Sequence, residues 1–391
     1  CDLEESWEKE LMPHFETAKQ MLGVTPNPYF SDPDTLMKEY ARDIGREDAF
    51  RATDVGVFFG EAGITVDDAY FDGEGPPRTG CTRTGHCMVG CRDGGKNTLD
   101  KNYLYLAMKK GLDVLTEYKV TDIWVDPDDT NQYLVSTTKT SDFLLKRRKR
   151  IRTRGIVLAA GALGTMELML NCRETGRLPR LSERVGAVVR TNSEVMTGYS
   201  AKGKKNFDCS GVAITSGLYV NQDTHIEPVR YPKGSDVMSF LTLPLIDKGK
   251  GLPRPIKLLL HILRHPVEML RLMIPFGWAK RSIVLLVMQS LDNQLQLVRK
   301  KRWWSPFRKV LGSENSGDKI PTYIPEANEA ARAQAAKIDG IAQSAISEVL
   351  LDIPVTEHLL GGCVMGESPE TGVIDKYHSV FGYENFYVVD G

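Results

Sequence analysis

The stretch Gly155-Ile156-Val157-Leu158-Ala159-Ala160-Gly161-Ala162-Leu163-Gly164 carries the reading of the fold. It opens as a continuous apolar run, the pattern of a strand buried on both faces. It then passes through small residues into Leu163 to Asn171, which reads as a helix. Such a turn brings the first backbone N–H groups of the helix to its tip, and small side chains let another group approach that backbone closely. The turn can therefore lie against a dinucleotide. The same pattern also suits a close-packed strand–helix turn that binds nothing.

Upstream of this stretch, Asn97 to Lys110 reads as a helix ended by Gly111, and Asp113 to Tyr118 as a short strand. Lys119 to Val125, Tyr133 to Thr138 and Lys149 to Arg154 read as further strands around a basic turn. Residues 6–24 have Leu11, Phe15, Ala18 and Leu22 spaced for one helical face, with Gly23 as the stop. A second helix is expected near 33–44. Residues 53–95, rich in Gly, Pro and Asp, read as extended loop with short strands, and long irregular stretches are often functional. Downstream, residues 210–245 and 282–300 alternate as strands of a mostly antiparallel sheet, hence a second domain. Residues 325–350 read as an Ala-rich helix.

The totals agree with two domains, since 391 residues exceed one ordinary core. Hydrophobic content of 41% and charged content of 26% describe a globular chain. A net charge of −1 gives no electrostatic argument for a nucleic-acid partner. No stretch of 18 apolar residues lacks a charge, so no transmembrane helix is expected. Both ends, at Cys1 and at Val388-Val389-Asp390-Gly391, read as cuts in a longer protein. The seven cysteines do not suggest a disulfide scaffold. A reducing compartment follows, and with it a cytoplasmic or membrane-peripheral location.

The tail holds a second pattern: His358-Leu359-Leu360-Gly361-Gly362-Cys363, then Met365-Gly366, Gly372-Val373-Ile374-Asp375, Val380-Phe381-Gly382-Tyr383 and Tyr387-Val388-Val389-Asp390-Gly391. A histidine ahead of two glycines sits where backbone can come close to a ligand, although a lone histidine is usually a surface or satisfied core residue.

This tail resembles the histidine–glycine–glycine and valine–aspartate–glycine segments of the glucose–methanol–choline (GMC) oxidoreductases, and most of all their cholesterol oxidase branch. Other stretches agree in the same order. Leu11 to Val24 resembles the family's helix after the flavin-attachment region. Gly94-Gly95-Lys96-Asn97-Thr98-Leu99-Asp100-Lys101-Asn102-Tyr103-Leu104 resembles the segment that re-enters the FAD domain. Val120 matches a position whose backbone faces the adenine, and Ala159 to Leu170 matches the Gly-rich turn after it.

The resemblance implies an α/β fold with a partial FAD-binding Rossmann-like domain at 92–198 and 371–391. A substrate domain with a mainly antiparallel sheet and covering helices would occupy 1–91 and 199–370. It implies FAD as cofactor, held by Val120, Ala160, Gly161, Gly164, Asp390 and Gly391. The implied reaction is hydride transfer to flavin from a sterol-like or other bulky hydrophobic alcohol, with oxygen or another acceptor taking the electrons. His358 would take the alcohol proton. Asp236, aligned through Pro232-Lys233-Gly234-Ser235-Asp236, would supply a carboxylate over the steroid. The chain departs from the family pattern in three places. The Gly-rich pyrophosphate loop and the second active-site polar residue fall outside it, and Leu359 stands where the family often has Pro. Two other readings stay open: a GMC-type dehydrogenase for a sugar or simple alcohol with a non-oxygen acceptor, and a fragment that binds no flavin.

Two features lie outside this pattern. Cys81, Cys87, Cys91 and His86 fall within eleven residues, but their spacing matches neither a zinc ribbon nor a ferredoxin run, and a Gly-rich loop without metal is expected. In 254–281, Ile256, Leu260, Leu263, Val267, Leu270 and Ile274 follow helical spacing, with Lys257, Arg264 and Arg271 on another stripe. A basic amphipathic helix kinked at Pro266 suits a membrane surface. It also suits a helix that covers a sheet. Lys300-Lys301-Arg302-Trp303-Trp304 adds basic and aromatic anchors at a strand end.

Overall fold

A computed structural model describes residues 4–143, 145–203, 206–208 and 210–391. It divides into two units, each assembled from three stretches of chain. The first takes Cys1–Val114, Glu194–Ser290 and Thr322–Val355, and the second Leu115–Ser193, Leu291–Pro321 and Thr356–Gly391.

The first unit is built on an antiparallel sheet of seven strands among the described residues, in the order Thr242–Pro244, Gly340–Ala345, Val195–Ala201, Ser282–Gln289, Thr224–Val229, Ser216–Tyr219, Phe50–Ala52. Its central strand follows the period of two: Ile283, Leu285 and Val287 are fully buried. They pack with Leu36, Met37, Val195, Tyr199 and Ile226, and with Ala327, Ala330 and Ala331. Those alanines form one face of the helix Pro325–Lys337, and their small side chains let it sit close to the sheet. The helix Asp32–Asp43 starts at Ser31, whose backbone N–H donates to the Asp34 carboxylate at 2.7 Å. The other Asp34 oxygen accepts the Ser216 hydroxyl at 2.6 Å, so one buried carboxylate closes the helix start and fastens it to the sheet.

Polar clamps order the irregular region 53–95. Asp68 accepts backbone N–H groups of Tyr70, Phe71, Gly73 and Gly75, which together hold its carboxyl below the usual range against the cost of burial. Arg78, 1% exposed, donates to the carbonyls of Gly94, Gly95 and Lys96 and to the Asn97 side chain. That clamp fixes 94–97 within the first unit.

Among the described residues, the second unit has three sheets. The strands Tyr118–Val125, Tyr133–Lys139 and Arg148–Thr153 form an antiparallel meander. Ile156–Leu158 and Phe386–Val388 pair in parallel. Ser305–Asn315, Leu295–Arg302, Ala187–Arg190 and Leu360–Gly362 form an antiparallel sheet in that order. The helix Gly161–Glu174 buries Met166, Met169, Leu170 and Cys172 against Ile123, Val189, Leu297, Val373 and Phe386.

Several expectations are corrected. The Ala-rich helix ends at Lys337 instead of running to 350: Asp339 turns to a φ of 45°, and Gly340–Ala345 pairs with Val195–Ala201 before a short helix, Ile346–Leu351. At Gly340 a Cβ would press on the Ser200 carbonyl at 2.9 Å, so pairing outweighs helix propensity there. Residues 113–117 form no strand because they find no ladder partner among the described residues; the strand begins at Tyr118. The helix expected from Asn97 is broken at Asn102, leaving Leu99–Lys101 as a 3₁₀ turn and Tyr103–Lys109 as helix. Pro266 separates two helices, Arg254–Arg264 and Pro266–Met273, where a kink was expected. The unit boundaries also differ from the expected division. Residues 92–114 join the first unit through the Arg78 clamp. Residues 291–321 and 356–370 join the second because Leu295–Arg302 and Leu360–Gly362 both border Ala187–Arg190.

Candidate active site

The parallel pair delivers two chain segments to one corner of the second unit. Leu158 leads through Ala159 and Ala160 into the helix Gly161–Glu174, and Val388 leads into Asp390 and Gly391. Ala160 is the N-cap and has no side-chain acceptor, so no capping side chain closes the first N–H groups of the helix. Gly161 adopts a φ of 70°, and a Cβ placed on it would meet nothing within 4 Å among the described residues. One turn on, Thr165 donates its hydroxyl to the Asp390 carboxylate, tying the helix start to the end of the chain.

Val120, Ala160 and Gly164 line one cavity of about 500 Å³ together with Tyr118, Lys119, Glu167 and Arg299. Three of the residues expected to hold the cofactor thus share one wall. Lys119 and Glu167 face each other at 3.4 Å on exposed side chains. Uncapped N–H groups, an open glycine and a cavity with small residues suit the phosphates and flat ring of a dinucleotide.

The two glycines after His358 have a different reason. Gly361 and Gly362 have φ of 95° and 90°. A Cβ on Gly361 would run into the Val188 carbonyl, and one on Gly362 would meet the Met166 sulfur at 2.5 Å. They thread Leu360–Gly362 between the strand Ala187–Arg190 and the 161–174 helix. The Leu360 side chain in turn occupies the space beside Gly391. His358, exposed, stands two residues ahead of this anchored strand, its backbone N–H donating to the Thr356 hydroxyl at 3.4 Å. Behind the strand, Cys363 packs its sulfur 3.3 Å from that of Met169, and burial, with the Asp390 carboxylate nearby, pushes its thiol up to about 12. Cys363 is therefore a packing residue at neutral pH.

Asp236 belongs to the first unit, His358 to the second. Asp236 accepts the backbone N–H of Gly277 at 3.0 Å and of Ala279 at 2.9 Å, one on each oxygen, and so closes the start of the short helix Trp278–Arg281. Its geometry is that of a loop-fixing carboxylate.

Two residues escaped the sequence reading. Arg299 reaches the cavity from the strand Leu295–Arg302 and donates to Asn171 at 2.7 Å, with Glu174 at 3.2 Å. Its Nε is buried and has no partner among the described residues. No local signal marks it, since it is one cation in a basic strand. Glu348 lies near the end of what read as one Ala-rich helix over 325–350, and it is 2% exposed. Its oxygens accept the Met196 N–H at 2.7 Å and the Ser344 hydroxyl at 3.0 Å, and burial pushes its carboxyl up to about 7.

Cys81, Cys87 and Cys91 are free thiols. Among the described residues, no group of three or more His, Cys, Asp or Glu side chains is placed to hold a metal ion.

The GMC oxidoreductase family models match residues 77–173 and 287–391. Cholesterol oxidases from two strains of Mycobacterium tuberculosis, CDC 1551/Oshkosh and H37Rv, are each 44% identical to the chain over 402 residues, covering 98% of it and 68% of the relative. A cholesterol oxidase from Acinetobacter baumannii is 40% identical over 392 residues, covering 98% of the chain and 70% of the relative. The two matched segments contain the 160–164 turn and the His358–Gly362 run, and the relatives match across both units: the chain belongs to the GMC oxidoreductase family and is an FAD-dependent oxidoreductase.

Proposed function

We propose that the protein oxidises the CH–OH group of a sterol or a similarly bulky hydrophobic alcohol, with oxygen as the electron acceptor. The identity to cholesterol oxidases over 98% of the chain is the observation that carries this reading. We assign the second unit to FAD. The backbone at 160–161, the cavity wall of Val120, Ala160 and Gly164, and the Asp390-Gly391 end would hold it, and Arg299 joins that wall. FAD, when bound, accepts the hydride and passes the electrons on. The first unit would shape the substrate site.

What the chain's own residues contribute is placement and proton handling. An alcohol carbon releases hydride readily only as its O–H proton is withdrawn. An imidazole exchanges protons near neutral pH and suits that task. His358 is our proton acceptor: the Gly361-Gly362 strand would hold its loop, and Leu360 borders Gly391. Asp236 would act indirectly, keeping the 274–281 loop in shape. His358→Ala in the flavin-loaded enzyme is expected to slow anaerobic flavin reduction by a sterol about tenfold or more, with flavin content unchanged. An unchanged reduction rate removes His358 from the mechanism. Oxygen uptake with a panel of alcohols tests the substrate class.

A sterol resides in membranes, and the first unit offers a surface for one. Leu263, Val267, Leu270 and Phe276 are 69%, 57%, 62% and 84% exposed on and after the two helices at 254–273. Lys257, Arg264 and Arg271 accompany them. No described helix is long and apolar enough to cross a membrane. We propose peripheral membrane contact through 254–281, with apolar side chains at the bilayer surface. Leu263→Ser with Leu270→Ser would then release the protein from phosphatidylcholine vesicles in co-sedimentation.

A further inference from the structure

The second unit carries another surface with the same chemistry on a different scaffold. Leu295–Arg302 and Ser305–Asn315 form a hairpin whose tip is the dipeptide Trp303-Trp304. The register slips beside the tip: Arg302 faces Ser305, whereas Lys301 faces Lys309, so Pro306, Phe307 and Arg308 bulge out. Trp303 is 91% exposed, Trp304 61% and Phe307 93%. Single exposed apolar residues are ordinary. Three aromatic side chains together on one tip are not explained by folding, since none is buried in a core.

Nor does the turn require them. Two-residue hairpin turns favour Gly, Asn and Asp. Neither tryptophan has a positive φ, so the turn is not of the primed type those residues serve. The charges divide along the hairpin. Along its two strands Arg299 and Lys309 pair with Glu174, and Lys300 pairs with Glu314. At its tip Lys301 and Arg308 are exposed and have no acidic partner within ion-pair distance among the described residues. Tryptophan and phenylalanine ringed by free cations match the headgroup level of a bilayer that carries negative charge.

We propose that the hairpin tip inserts Trp303, Trp304 and Phe307 into the interface of an anionic phospholipid bilayer, with Lys301 and Arg308 against its headgroups. The inference shares with the proposed function only the idea that the enzyme works at a membrane. It does not need the helices at 254–273, which belong to the other unit and are varied separately.

The test uses the flavin-loaded protein with vesicles of phosphatidylcholine alone and of phosphatidylcholine with phosphatidylglycerol. The expected result is stronger partitioning onto the anionic vesicles and quenching of tryptophan emission by brominated acyl chains. W303S/W304S/F307S should lower partitioning about tenfold or more. W303F/W304F should abolish the quenching while keeping most of the binding. K301Q/R308Q should weaken binding to anionic vesicles about fivefold per charge and leave binding to neutral ones unchanged. Turnover of a water-soluble alcohol should stay at the wild-type value in each variant. Wild-type partitioning by the triple variant, or unquenched tryptophans in the bound wild type, overturns the proposal. So does a wild-type dimer in sedimentation velocity that the triple variant loses without any vesicle dependence, because the tip is then a contact between two copies. If L263S/L270S abolishes binding and the tip variants do not, only the helical surface survives.

Discussion

Two pairs of glycines border the candidate flavin site, and they are there for opposite reasons. At Gly361 and Gly362 the protein fills the space a side chain would need, with the Val188 carbonyl and the Met166 sulfur. Among the described residues, a Cβ at Gly161 would meet nothing within 4 Å, and one at Gly164 would meet the Ala160 methyl at 3.1 Å. The first pair is a packing requirement of the chain itself. Gly161 leaves room that the described residues do not use, next to uncapped helix N–H groups, and Gly164 has the Ala160 methyl alone against it. Glycine content alone cannot tell these apart, because both pairs sit beside a strand in a small-residue run. What differs is which neighbour occupies the Cβ position.

Substitutions at these positions break or sharpen that contrast. The largest effect is expected for Gly362→Ala, which combines overpacking against Met166 with a left-handed φ and should cost about 3 kcal/mol or more. Urea denaturation measures it. Adding Met166→Ala should relieve the overpacking and leave the backbone strain, so the double variant should lose less than the sum of the two single losses. Thr165→Val comes next. It removes a buried hydroxyl that donates to a carboxylate, worth about 2 kcal/mol, and frees Asp390 from the helix start. Stability should fall even without flavin. The smallest stability effect is expected at Gly161, where Ala pays only for its φ, about 1 kcal/mol. There the loss should appear in flavin retention, read from the visible absorption of the purified protein. If Gly161→Ala keeps its flavin but unfolds as readily as Gly362→Ala, the two pairs are alike and the assignment of open space to a ligand fails.

The same distinction between local and neighbour-dependent features runs through the fold. The helix Asp32–Asp43, expected near 33–44, has local signals: Ser31, Pro33 and Asp34 mark its start within four residues. The stop at Gly23 and the alternation of Ile283, Leu285 and Val287 were legible for the same reason. Gly340–Ala345 was not, because what converts it from helix to strand is Val195–Ala201, well over a hundred residues earlier. The apolar residues of 113–117 read as a strand, but a strand exists only where a partner pairs with it. Asp236 fits a catalytic alignment as a letter in the sequence. Its two oxygens are engaged by backbone donors some forty residues on.

By itself the sequence determined the family, through the turn at 155–164 and the His358–Gly362 and Val388–Gly391 runs. It also determined the class of fold, the cofactor and the order of most elements, because motifs, periodicity and caps are properties of neighbours along the chain. Only the tertiary structure decided that Val120, Ala160, Gly164 and Arg299 share one cavity, that Gly362 rests on Met166, that Glu348 is buried, and where the two units divide. Those facts depend on contacts between residues far apart in sequence, and burial, close approach and pairing are set by what arrives on the other side.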